Sequence, residues 1–177
     1  MKKFELTSEF VTFLGKKLFR IKALISFGNV EEGELGGYVE KEENLSNDGN
    51  AWVSGDAWVC GNARVYGDAR VYGDAEVYGN ARVYGDAEVC GNAWVYGDAR
   101  VYGDADYATV HGFGSEYRTT TFFRTKAGDI GVRCGCFYGT LEEFRAKVKE
   151  THGETKTAKE YLMVADLMEF RFLKEEA

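Results

Sequence analysis

Residues 47–106 read NDGNAW-VSGDAW-VCGNAR-VYGDAR-VYGDAE-VYGNAR-VYGDAE-VCGNAW-VYGDAR-VYGDAD, ten hexads without an insertion. Valine recurs at 53, 59, 65, 71, 77, 83, 89, 95 and 101, and alanine follows each valine four residues later. Self-similarity at a fixed short period marks an architecture in which each unit buries its apolar face only against its neighbours. Valine and alanine at this spacing point inward from short strands. The Gly-Asp or Gly-Asn pair between them supplies the left-handed backbone residue that a sharp corner needs. An apolar residue at every sixth position argues against low-complexity disorder.

Two composition shifts divide the chain into 1–46, 47–106 and 107–177. The first segment holds 7 basic and 8 acidic side chains, the repeat 4 and 10, and the last 11 and 11. The repeat therefore carries nearly all of the formal charge of -7, and nucleic acid is not its expected partner. With 22 glycines, no proline and 15% aromatic residues, the chain turns on glycine and has rings to bury. No apolar run approaches the roughly 18 to 20 residues that cross a bilayer. The start Met1-Lys2-Lys3 leads into Phe4-Glu5-Leu6 rather than an export signal. The expected location is the cytoplasm, with Cys60, Cys90, Cys134 and Cys136 as thiols. Only His111 and His152 are present, which excludes a three-histidine metal site within one chain.

The pattern V-x-G-D/N-A-x resembles the hexapeptide repeat of left-handed parallel β-helix proteins, in which three hexads make one triangular coil. The resemblance implies a mainly β fold; right-handed β-helices, with longer and less regular coils, are the alternative. The flanks KKFELTSEF (2–10), LGGYVEKEENLS (35–46) and TTTFFRTKAGDIGVRCGCFYGTLEEFRAKVKETHGE (119–154) are similar to hexapeptide-repeat proteins of bacteria and their phages. That resemblance implies a phage or prophage setting and carries no catalytic residues.

In segment 1–46, Phe10–Leu14 and Leu18–Leu24 read as a β-hairpin about Gly15-Lys16-Lys17, covering the first strand edges of the stack. Gly28-Asn29-Val30 and Leu35–Val39 read as an irregular first coil. In 107–177, Tyr117–Thr125 and Ile130–Phe137 form a second hairpin around Lys126-Ala127-Gly128-Asp129. Thr140-Leu141-Glu142-Glu143 is a capping box opening a helix that stops near Gly153. A second helix from about Lys156 shows Tyr161, Val164, Ala165, Met168 and Phe172 at helical spacing. The last segment is therefore a small α+β cap.

With 18 residues per coil, side chains flanking valine form outward columns. One face shows Arg64, Arg82 and Arg100 beside Tyr66, Tyr84 and Tyr102. Like charges at strand spacing repel by about 0.8 kcal/mol per pair even in water, so tyrosine rings and acidic corners, or an anionic ligand or acidic partner, must compensate. A second face carries Trp58, Trp94, Tyr78 and Tyr96, the expected surface for self-association or a protein partner, with cover by the terminal helices as the alternative. The third column stacks Trp52, Arg70, Glu88 and Asp106, with Arg70 and Glu88 as a cross-strand pair. The corner acids Asp68, Asp86 and Asp104 are read as caps of turn amides rather than calcium ligands.

Outside the repeat, Gly112-Phe113-Gly114-Ser115 with Arg118, Thr119, Thr120, Thr121 and Arg124 offers donors for an anion. His111 is a weak candidate for a general base of the acyltransferase kind. Cys134-Gly135-Cys136 is read as one strand with two small buried apolar residues. No metal or cofactor is expected. The functional expectation is a homo-oligomeric, non-enzymatic binding or scaffold protein that sequesters a host protein or a small anionic, nucleotide-like ligand, for example to inhibit host defence. The alternatives are a hexapeptide-repeat acyltransferase and a structural phage component.

Overall fold

The computed structural model describes residues 1–172. The chain divides into two compact units, Met1–Asp104 and Ala105–Ala177.

The first unit opens with β1 (Phe4–Phe13), β2 (Lys16–Ala23) and β3 (Leu35–Val39). Nine two-residue strands follow, each a polar or aromatic residue and a valine: β4 (Trp52–Val53), β5 (Trp58–Val59), β6 (Arg64–Val65), β7 (Arg70–Val71), β8 (Glu76–Val77), β9 (Arg82–Val83), β10 (Glu88–Val89), β11 (Trp94–Val95) and β12 (Arg100–Val101). They stack into three parallel sheets, β4-β7-β10, β6-β9-β12 and a third in which β5-β8-β11 continues β1-β2-β3. The register pairs residues 18 apart, as in Trp52 with Arg70, Val59 with Val77 and Val83 with Val101. The mainly β fold is a β-solenoid.

Every stacked valine from Val53 to Val101 is fully buried, and so is every alanine from Ala51 to Ala99. The corner glycines hold φ between 62° and 76° from Gly55 to Gly97, a conformation that costs an L side chain free energy. Space excludes a side chain there as well, since a Cβ on Gly79 would lie 2.9 Å from the Gly97 amide nitrogen one coil on. The regular corner ends at Gly97: Gly103 lacks the positive φ, and Asp104–Asp106 form a 3-10 turn. Asp106 thus leaves the column of Trp52, Arg70 and Glu88 and pairs instead with Arg124 at 2.9 Å. Arg70 and Glu88 are in register, yet no ion pair joins them among the described residues; Glu88 Oε2 accepts from the Tyr72 hydroxyl at 3.2 Å. Asp68 accepts from the Asn50 amide and Asp104 from the Glu88 amide, so these acids do cap backbone amides.

The N-terminal hairpin is longer than its apolar runs suggest, reaching back to Phe4 opposite Ala23. A register irregularity between Leu6 and Phe10 bends it. Its β2 pairs antiparallel with β3, and β3 pairs parallel with β5, so the hairpin continues one sheet beyond the first coil.

The second unit contains a four-stranded antiparallel sheet, β13 (Tyr107–Val110), β14 (Thr120–Arg124), β15 (Ile130–Cys134) and β16 (Phe137–Thr140), followed by α1 (Leu141–His152) and α2 (Lys156–Phe172). The capping box forms as read: Thr140 Oγ1 accepts from the Glu143 amide and Glu143 Oε2 from the Thr140 amide. Phe122, Val132, Phe144, Tyr161, Ala165 and Met168 are among its core. The Cys134-Gly135-Cys136 reading is corrected. The strand ends at Cys134, Gly135 turns at φ 57°, and Cys136 is exposed.

Candidate functional site

The first coil of a solenoid presents carbonyl oxygens with no preceding coil to bond them, and each one left buried and unmet is costly. All three sheets solve this differently. On the β5 side the amides of Tyr38 and Glu40 donate to Ala57 O and Val59 O at 2.9 and 3.1 Å. On the β4 side the Lys3 ammonium donates to Gly49 O and Ala51 O at 3.3 and 2.8 Å. On the β6 side Asn44 Nδ2 donates to Gly61 O and Ala63 O at 3.2 and 2.8 Å, and the Ser46 amide to Val65 O at 2.9 Å. Lys3 and Asn44 are 1% and 0% exposed. Neither carries a signal in the sequence, because neither belongs to a repeat or a periodic pattern.

Covering the β6 edge with residues 42–47 also builds a wall beside the Arg/Tyr face. A groove of about 580 Å³ opens there, lined by Glu42, Glu43 and Leu45 from the covering segment and by Arg64, Val65, Tyr66 and Arg82 from the stack. Glu42 is paired with Lys2 at 2.7 Å. Arg64 and Arg82 are in register on adjacent strands and exposed. Their backbone amides donate to Ala81 O and Ala99 O at 3.0 and 2.9 Å, but among the described residues neither guanidinium makes an ion pair, a hydrogen bond or a stacking contact with a ring. Arg100 behaves differently: its guanidinium donates to Asn80 O, Asp98 O and Ala99 O at 3.0, 3.2 and 2.8 Å. The ladder of three is therefore two open arginines and one that serves the corner backbone. Tyr66 and Tyr84 stack with centroids 5.0 Å apart and planes 9° apart, whereas Tyr84 meets Tyr102 edge-on at 5.3 Å.

On the aromatic face, Phe13 of the hairpin lies 4.2 Å from Trp58 and 6.5 Å from Tyr78, and Tyr78 lies 4.4 Å from Tyr96. Trp58 and Trp94 are both half-buried. The cover over Trp58 comes from the N-terminal hairpin, with Leu18 packed on Tyr38 and Cys60 beneath it. Burial pushes the Cys60 thiol up to about 11, so it is a packing group and not a nucleophile.

The donors between 112 and 124 are not gathered into one cluster. The Gly114 amide donates to Glu160 at 3.4 Å, and Ser115 hydrogen-bonds the Tyr161 hydroxyl. Thr120 is buried with its hydroxyl on Cys134 Sγ at 3.2 Å. Arg118 lies outside β14 and reaches Glu116 at 3.5 Å. Arg124 is a fastener, bonded to Asp106 and to Phe172 O at 3.0 Å, with its guanidinium 5.3 Å from the Phe172 ring. His111 Nδ1 is 3.0 Å from Thr119 Oγ1.

Fold and register define a repeat protein of the β-solenoid class. Residues 57–73, 63–76 and 75–91 match the YdcK beta solenoid repeat, within the middle of the stack. No curated protein matches the chain. Among the described residues no helix is long and apolar enough to cross a membrane.

Proposed function

We propose that this protein is a non-enzymatic binding protein that takes a small anionic, nucleotide-like ligand in the groove at the start of its Arg/Tyr face. The observation that carries the reading is the pair Arg64 and Arg82, held in register with neither guanidinium ion-paired among the described residues, on a groove of about 580 Å³ whose Glu42 is itself paired with Lys2. Two guanidinium groups at strand spacing suit phosphoryl oxygens. Tyr66 offers a π surface already oriented by its stack on Tyr84. Glu43 lines the same groove with acceptor oxygens, and Ser46 and Asn47, whose oxygens already accept from the Asp48 and Lys3 amides, keep a hydroxyl proton and an amide NH2 to donate to a nucleoside. The reading includes the left-handed winding and hexapeptide type that the V-x-G-D/N-A-x resemblance implies. It also includes a role in sequestration inside a phage-infected bacterial cell.

The test is calorimetric titration of nucleoside mono-, di- and triphosphates into wild type and into Arg64→Ser/Arg82→Ser, with the fold of the variant checked by melting. Binding that weakens with salt and falls at least about tenfold in the variant is expected. No binding to wild type, or undiminished binding to the folded variant, overturns the reading.

A further inference from the structure

Helix α2 buries one face through Ala158, Tyr161, Val164, Ala165, Met168 and Phe172. Its opposite face is apolar too. Met163, Leu167 and Phe170 are 72%, 58% and 76% exposed, and spacings of four and three residues put them on one stripe. A contiguous exposed stripe of three large apolar side chains marks an interaction surface. We propose that this stripe joins two copies of the chain through an antiparallel α2–α2 pair.

The charges on one flank of the stripe favour a second copy and set its direction. On the other flank Asp166, which an antiparallel pair brings beside Asp166 of the second copy, is neutralised by Arg145. At 3.6 residues per turn, Glu160 and Arg171 fall on the same flank of the stripe, eleven residues apart. In an antiparallel pair centred between residues 165 and 166, Glu160 of one chain stands level with Arg171 of the other. The twofold axis makes that contact twice. Met163 of the second copy then lies between Leu167 and Phe170 of the first. Arg171 is exposed and makes no ion pair among the described residues. Glu160 accepts from the Gly114 amide through Oε2 at 3.4 Å and reaches Lys156 with Oε1 at 3.9 Å, neither of which neutralises it at close range. The first turn of α2 holds no acidic residue, and Lys156 and Lys159 sit at the positive end of their own helix dipole. Antiparallel pairing moves these lysines beside the C-terminal turns of the second copy, where a cation is favoured. A parallel pair would instead set the two Lys156 side chains level with each other and leave Glu160 of one chain eleven residues along the axis from Arg171 of the other.

The inference is independent of the groove reading, since all its residues lie in the second unit. Sedimentation velocity of the full chain from about 1 to 200 µM tests it, and dissociation in the micromolar range is expected of a contact confined to one helix stripe. Leu167→Glu should weaken association at least about tenfold with an unchanged melt, because the substituted position is exposed. Glu160→Arg or Arg171→Glu alone should weaken it about tenfold, and the two together should restore it. A monomer at 200 µM, which would point to another occupant of the stripe, overturns the proposal. So does a dimer indifferent to Leu167→Glu, or a double reversal that fails to restore association.

Discussion

Lys3 and Asn44 show how two side chains outside the repeat hold its open end. Each reaches a pair of carbonyls two residues apart, Gly49 and Ala51 for Lys3 and Gly61 and Ala63 for Asn44. Asn44→Ala leaves two buried acceptors unmet at about 1–3 kcal/mol each, so the first unit should lose about 2–5 kcal/mol in denaturant unfolding. Lys3 gives a pH signature. Burial lowers its ammonium from 10.5 to about 8, against the pull of Asp48 and then Asp68. Between about pH 8 and 10.5 the unfolded chain therefore binds more protons at this site than the folded one, and stability rises with pH across that window. Below about pH 8 both states are protonated and the contribution is flat. The melting temperature of wild type should gain on that of Lys3→Met between pH 8 and 10.5; a difference that shrinks there would refute the assignment. The neutral amine keeps two donors, so the carbonyls stay bonded after deprotonation.

At the scale of the element, β3 shows why two glycines stand where the irregular first coil begins. A Cβ on Gly37 would lie 2.4 Å from Ala57 O and 2.9 Å from Val53 Cγ1, and one on Gly36 would lie 2.5 Å from Ile21 Cγ1. Gly37→Ala must push β3 off β5 and stretch the 2.9 Å bond from the Tyr38 amide to Ala57 O. A loss of about 3 kcal/mol is expected, measured as a lowered urea midpoint. Helices were the most legible elements: the Thr140 capping box and the buried face of α2 appear where local spacing places them. Strands β13 and β16 were not legible. Tyr107–Val110 and Phe137–Thr140 are short, and their pairing with β14 and β15 comes from the sheet rather than from alternation. The hairpin's reach back to Phe4 has the same cause, since Glu5 and Leu6 are in strand because Lys22 and Ile21 lie opposite.

Across the whole molecule there are two units with separate cores, the valine and alanine stack and the cluster around Phe122, Phe144 and Tyr161. Val77 is fully buried in the middle of the stack, bonded in register to coils on both sides. Val77→Asp buries a carboxylate among aliphatic side chains and should abolish the solenoid. The helical ellipticity of α1 and α2 should survive, because their core contains none of the stack. Loss of both signals together in a circular dichroism melt would show that the units do not fold separately.

The solenoid was readable because each hexad repeats the same local demands. Valine and alanine face inward, glycine turns the corner, and an uninterrupted 18-residue register follows from counting alone. The columns of arginine, tyrosine and tryptophan follow from the same count, and the structure stacks them in that order. Which members of a column stay open did not follow from counting. Arg100 turns to the carbonyls of its own corner while Arg64 and Arg82 do not, and Phe13 lies over Trp58 because a bent hairpin returns there. The groove exists because residues 42–47 bond the carbonyl edge of β6 and stand beside Arg64. Such placements depend on contacts between residues distant along the chain, and a one-dimensional pattern carries no term for the unmet hydrogen bonds at the end of a stack.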